Sequence, residues 1–388
     1  MTIYKHLFRR SLDAASERLH VAAHSHHLWP DASFDGHYQA WDDAARFADR
    51  KWDRIMGEVW PTAQAEVAAE LRLFDPSTIV FAPNTHELIV RLASAIERPQ
   101  PLKVLASDGE FHSFRRQSAR WEEAGAMSVE RIAAEPFQDF ADRFLAAARS
   151  GDHDLIFVSQ VMFNSGLVLD DLKPLAELAR PEGPWVVIDG YHGFMAMETD
   201  LSPFADRIFY TAGGYKYAMA GEGAAFLHAP PGFGARPVNT GWYAEFDDLS
   251  LPPGSVGYAP DAMRFMGSTF DASGLYRFAA VRRLLASEGL STAAISAHVA
   301  RLQALLLEAV SGTALGQAEL LNPLDDRLHA RFLAFRSPHA QRWQAELKAR
   351  DVITDVRGDV LRIGLGLYND EADVARFGTE ARLLGGTE

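Results

Sequence analysis

Between residues 77 and 228 the chain carries a series of short runs that are apolar almost throughout. They are Ser77 to Phe81, Lys103 to Ala106, Asp154 to Ser159, Trp185 to Asp189, Arg207 to Thr211 and Gly223 to His228. A strand with one wet face alternates apolar and polar residues; a strand buried on both faces does not. Stretches with helical periodicity, such as Thr85 to Ile96 with Leu88, Leu92 and Ala95 near one face, separate several of the runs. Strands alternating with helices need crossover connections, which predicts an α/β fold around a largely parallel sheet.

At 388 residues the chain exceeds one average domain. After an irregular stretch from Gly232 to Ser273, helices are expected over Gly274–Glu288 and Thr292–Val310. A second α/β unit then follows: a strand over His329–Arg336, a helix over Pro338–Arg350 and a strand over Val360–Leu365. The expected organisation is an N-terminal segment (1–50) packing on the small domain or active site, a large domain (51–274) and a small C-terminal α/β domain (275–388).

With 38 basic against 52 acidic residues the net charge is −14, which argues against nucleic acid or an anionic membrane surface as partner. The absence of cysteine removes thiolate nucleophiles, disulfides and Cys-based metal sites. No apolar run reads as long enough to span a bilayer, and no signal-peptide core follows the basic N-terminus, so the expected location is the cytoplasm.

Three places suggest chemistry. Lys216 lies just past the end of the run Arg207–Thr211, after Gly213-Gly214-Tyr215. Ligands bind at that edge of an open α/β sheet. A desolvated lysine there has a lowered pKa and can attack a carbonyl to form a Schiff base, although a surface lysine with a folded stem is the commoner outcome. Asp189 ends another apolar run, and a carboxylate there can pair with a protonated pyridine nitrogen or simply cap the next turn. In Ala82-Pro-Asn-Thr85-His-Glu87 a turn enters a helix whose free N–H groups suit a phosphate; most such starts only cap the helix.

Asp189-Gly-Tyr-His192 and Gly213-Gly-Tyr-Lys216-Tyr217 resemble the Asp-x-x-His and (Ser/Gly)-x-Lys signatures of the class V aminotransferase family, fold type I enzymes dependent on pyridoxal 5′-phosphate (PLP). Thr240-Gly-Trp242-Tyr, Arg264-Phe-Met-Gly-Ser-Thr269 and Leu361-Arg-Ile-Gly-Leu-Gly-Leu-Tyr-Asn369 resemble further landmarks in the same order, over roughly residues 75 to 370. Tyr-Lys-Tyr, the Gly-Trp pair and Leu-Tyr-Asn are most similar to the kynureninase branch. The resemblance implies a seven-stranded sheet in the large domain, with Lys216 as Schiff-base lysine, Asp189 as pyridinium partner and His192 beside it. Thr85 and His86 would offer backbone N–H groups to the phosphate, Tyr215 its hydroxyl, and Phe111 a ring stacked on the cofactor. Trp242, Ser268 and Thr269 would reach the phosphate of a neighbouring subunit, implying a homodimer. Arg362 would grip the α-carboxylate of an amino-acid substrate, and His26 and Trp29 would face its side chain.

Where kynureninases usually carry an Asn-Pro-Pro-like stretch, this chain has Gly267-Ser-Thr-Phe270, which looks more like the aminotransferases. The expected reaction is therefore kynureninase-like cleavage of a Cβ–Cγ bond or transamination. Cysteine desulfurases share the family, but their sulfur-accepting cysteine has no counterpart here. Two other classes compete: a metal-dependent hydrolase built on His20, His24, His26 and His27, and a non-catalytic binding protein that keeps the fold.

Overall fold

The computed structural model describes residues 4–246, 250–252, 254–325 and 328–385. A two-residue strand, β1 (Leu19–His20), belongs to the N-terminal segment. The main sheet comprises β2 (Ile79–Ala82), β3 (Leu102–Ser107), β4 (Met127–Ile132), β5 (Leu155–Ser159), β6 (Trp185–Asp189), β7 (Ile208–Gly213) and β8 (Ala225–His228). Its seven strands lie in the order β2-β8-β7-β6-β5-β3-β4. From β7 across to β4 every neighbouring pair is parallel, whereas β8 runs antiparallel to both β7 and β2. The reversal follows from the link between β7 and β8, residues 214–224, which contains no helix; a parallel return needs a crossover of a dozen or more residues, usually helical. Every residue of β5 to β8 is buried, as their uninterrupted apolar runs require. β4 is an edge strand with Ser128, Glu130 and Arg131 exposed, and so lacks the pattern that betrays the others.

The C-terminal unit adds β9 (Glu319–Leu320), β10 (Leu333–Arg336), β11 (Val352–Ile353), β12 (Asp355–Arg357) and β13 (Val360–Ile363). Four of these form an antiparallel sheet in the order β12-β13-β10-β9. The strand expected from His329 begins only at Leu333, because the His329 imidazole is pinned on the carbonyls of Asn322 and Ala330. β1 pairs in parallel with β11, tying the N-terminal segment to this unit.

Two helices depart from the sequence reading. The helix Asp31–Phe47 was not expected; it packs on Ser273–Ser287 so closely that a Cβ at Gly36 would lie 2.6 Å from the Tyr276 carbonyl oxygen. The Tyr276 hydroxyl donates to the buried Asp43 carboxylate at 2.8 Å and seals the contact. Thr292–Val310 has 19 residues with a mean hydropathy of 1.3 over its most apolar window, so by length and composition it could cross a membrane, contrary to expectation. Here Ile295, Val299, Leu302, Leu306 and Val310 form one buried stripe, and the helix packs against Glu371–Ala381.

Candidate active site

The parallel strands end together, and the chemistry sits on that edge. Asp189 is the last residue of β6, next to Ser159 at the end of β5. Lys216 follows β7 in a tight turn closed by Met219 N–H to the Lys216 carbonyl and Ala220 N–H to the Gly214 carbonyl. Gly213 has no space for a side chain: its Cβ would lie 2.8 Å from the Tyr191 hydroxyl oxygen. Phe111 lies between β3 and the helix His112–Glu123. The helix Thr85–Ser94 brings its N-terminus to the same place, capped by Asn84, whose Oδ1 accepts the Glu87 N–H at 3.0 Å.

These elements enclose a cavity of about 380 Å³. It brings together the predicted Lys216, Asp189, His192, Thr85, Phe111, Tyr215 and Arg362. Lys216 Nζ is 2.9 Å from His192 Nε2, 4.6 Å from the Tyr191 ring centre and 5.5 Å from that of Phe111. Burial pulls the Lys216 ammonium down to about 7, while Asp189 pushes it back up. Burial raises the Asp189 carboxyl, opposed by the Tyr191 N–H on Oδ1 at 2.9 Å and by the Lys216 charge. Burial, then the Lys216 charge, keep His192 neutral, and its Nδ1 has no hydrogen-bond partner among the described residues.

Of the chain's six lysines, Lys216 alone faces this cavity. Lys5, Lys103 and Lys173 pair with carboxylates, Lys51 lies against Trp52, and Lys348 is exposed.

Arg362 enters from β13 and is only 2% exposed. Its Nη2 donates to Asp355, which β12–β13 pairing places directly opposite, and its Nη1 donates to the Phe163 carbonyl. Arg357, three residues before the hairpin returns as Val360, also lines the cavity.

Other predicted residues lie elsewhere. The His86 side chain faces a neighbouring groove with His112 and Arg116. Trp242, Ser268 and Thr269 do not line the cavity: Trp242 Nε1 donates to Thr269 Oγ1 at 3.2 Å, and Ser268 and Thr269 line a separate cleft with Glu87 and Arg91. His26 and Trp29, expected to face the substrate, do not line the cavity either. His26 abuts the Tyr215 ring at 5.0 Å, and Trp29 lies under the Arg277 guanidinium at 5.1 Å. The cause is the turn at Ala22, whose carbonyl accepts N–H groups from both Ser25 and His26. It directs His24 and Ser25 to the cavity instead. His24 is fully buried, stacked on Phe332 at 4.8 Å, and among the described residues neither ring nitrogen has a hydrogen-bond partner.

The four clustered histidines diverge rather than converge on a metal. His20 Nδ1 meets the Tyr368 hydroxyl at 2.6 Å and His27 Nδ1 meets the Leu28 carbonyl at 2.7 Å, while His24 and His26 pack on different rings. Among the described residues no group of three His, Cys, Asp or Glu could hold a metal ion.

Sequence reasoning passed over several residues. Glu110, fully buried, accepts the hydroxyls of Ser107 and Ser159, each at 2.5 Å. Burial pushes it up to about 7, the two serines pull it down, and Asp189 adds to the rise. Its position immediately before Phe111 was the available signal. The pair Asp355-Val-Arg357 was the signal for the second guanidinium.

Residues 295–380 match the kynureninase C-terminal domain family. Kynureninase of Deinococcus radiodurans is 27% identical over 235 residues, covering 58% of this chain; the chain spans about 55% of that enzyme's length. Among solved structures, a cystine C–S lyase in complex with cysteine persulfide superposes with a TM-score of 0.81 at 16% identity, over 96% of this chain and 100% of that one. A mutant of the lyase, with glycine covalently linked to its PLP cofactor, gives 0.80 at 14% identity, over 97% and 99%. Cysteine desulfurase from Thermococcus onnurineus gives 0.80 at 18% identity, over 98% of both chains. The structures establish the fold, and the site supplies a lysine and a carboxylate at the expected strand ends. The chain is thus similar to the class V family of PLP-dependent enzymes and shares the fold type I architecture of the solved structures. Within that family it is similar to the kynureninases and the cysteine desulfurases.

The residues present fit this cofactor. A lysine with a lowered pKa, a buried carboxylate, a His192 nitrogen without a hydrogen-bond partner among the described residues and a capped helix N-terminus share one cavity. Lys216, Asp189, His192, Phe111, Tyr215 and Thr85 would hold it.

Proposed function

We propose that this protein is a PLP-dependent enzyme of kynureninase type, acting on an α-amino acid and cleaving its Cβ–Cγ bond with water. The observation that carries the reading is Lys216, whose amine sits 2.9 Å from His192 beside the strand-end carboxylate Asp189. Support for the kynureninase branch comes from the match over residues 295–380 and the 27% identical relative.

When bound, the cofactor supplies an electron sink for charge developing at the substrate Cα. Asp189 would keep the ring nitrogen protonated by offering it a carboxylate in a buried setting. Lys216, whose amine burial lowers to about 7, would hold the cofactor and could move the proton at the substrate Cα. A neutral His192 would hold the Lys216 amine in place, because its Nε2 already faces Nζ at 2.9 Å. Arg362 orients the substrate through its carboxylate.

Trp242, Ser268 and Thr269 resemble residues that reach the phosphate of a neighbouring subunit, a role compatible with Trp242 being 43% exposed and all three lying outside their own chain's cavity. That resemblance supports a homodimer as the working form, and a fully active monomer in sedimentation experiments would refute this. The reaction is tested by incubating the protein with kynurenine and a panel of amino acids and identifying products. Release of alanine and an aromatic amine supports the proposal. A keto acid formed from the substrate, with its amino group passed to a second keto acid, would show transamination instead.

A further inference from the structure

Building on that reading, we propose that the substrate's carboxylate is held by two arginines, Arg362 and Arg357, and that the site selects amino acids whose side chain carries no negative charge. Asp355 lies between the two guanidiniums: Oδ2 accepts from Arg362 Nη2, and Oδ1 is 3.5 Å from Arg357 Nη1. The two arginines differ in how firmly they are held. One N–H of each terminal nitrogen of Arg362 is committed, to Asp355 and to the Phe163 carbonyl, which fixes the group and leaves its other N–H groups for a ligand. Arg357 is 40% exposed in its side chain, and its links to Asp355 and the Val356 carbonyl are long, both 3.5 Å. Its second amino group has no partner among the described residues. Arg362 is thus a fixed post and Arg357 an arm free to turn onto a ligand.

The charges fix what that ligand is. Lys216 and Asp189 serve the cofactor, which leaves two guanidiniums, Arg357 and Arg362, at the substrate end of the cavity against one carboxylate, Asp355, behind them. His24 and His192 add none, since burial holds both neutral. One positive charge is left uncompensated, and one carboxylate balances it. A second carboxylate would be an excess anion in a largely desolvated site with no cation to meet it, which is unfavourable. The remaining wall, with Phe111, Val161 and Phe163, suits an uncharged side chain.

The test uses cofactor-loaded protein and two unreactive probes without an amino group, butyrate and glutarate, with binding followed by calorimetry. Butyrate should bind the wild type and lose about tenfold in affinity in Arg357→Gln, as expected for one charge-assisted contact. Arg357→Lys should recover part of the loss, and glutarate should bind wild type no more tightly than butyrate. Butyrate affinity unchanged in Arg357→Gln would overturn the two-arginine grip. Glutarate binding tenfold tighter than butyrate would overturn the selection against a second charge, and needs no variant. Borohydride fixation of cofactor on the same samples tests Lys216 separately, so the two readings fail independently.

Discussion

Replacing Glu110 by glutamine should remove one specific part of the protein's pH-dependent stability. In the folded chain Glu110 is held at about 7 by burial, against an ordinary value of 4.5. Between those values the folded state keeps a proton that the unfolded state has lost. The stabilisation this provides is fully present below pH 4.5 and disappears as pH rises through 7. At ~1.36 kcal/mol per pH unit the loss amounts to about 3 kcal/mol. The glutamine side chain is near in shape and cannot ionise, so the stability of the Glu110→Gln variant lacks this component. Urea unfolding of the wild type and the variant, at pH 4.5, 5.5 and 7.5 with matched cofactor content, reads the difference between them. Wild type should lose about 3 kcal/mol relative to the variant across that range, and groups common to both cancel. Parallel stability curves would refute the assignment of a buried, protonated Glu110.

Asp189→Ala should retain the cofactor yet slow exchange of the substrate Cα proton in heavy water by about a hundredfold or more; near-normal exchange would contradict the role given to Asp189. His24→Ala should change the ranking among substrate side chains, because His24 lines the cavity. Trp29→Ala should leave that ranking alone and cost about 3 kcal/mol in stability, since its ring packs under Arg277 outside the cavity. Arg362→Ala should weaken every amino acid alike, as loss of a contact shared by all of them does.

The large sheet was legible because β5 to β8 are buried on both faces and carry the apolar runs that such strands require. β4 was not, since an edge strand with charged residues looks like loop. Asp189 and Lys216 stood out because each follows a strand the sequence reveals, and strand ends in a parallel sheet converge. The N-terminal loop defeated the same logic. Which of four neighbouring histidines turns inward depends on one turn at Ala22 and on β1 pairing with β11, more than 330 residues away. Arg357 and Asp355 acquired meaning only through hairpin register, which sets Asp355 against Arg362. Trp242, Ser268 and Thr269 lie outside the cavity of their own chain, so one chain does not explain them.

The central claim is that Lys216 holds the cofactor through an amine whose pKa the fold has lowered. Borohydride reduction of the purified protein, followed by proteolysis and mass spectrometry, reads it directly. One peptide should carry the cofactor mass, with the modification on Lys216 and on none of the other five lysines. When cofactor is added back to stripped protein, the capture rate should rise with a midpoint near pH 7, as expected for the free base. A label on another lysine, no label at all, or a rate still rising toward pH 10 would contradict the account.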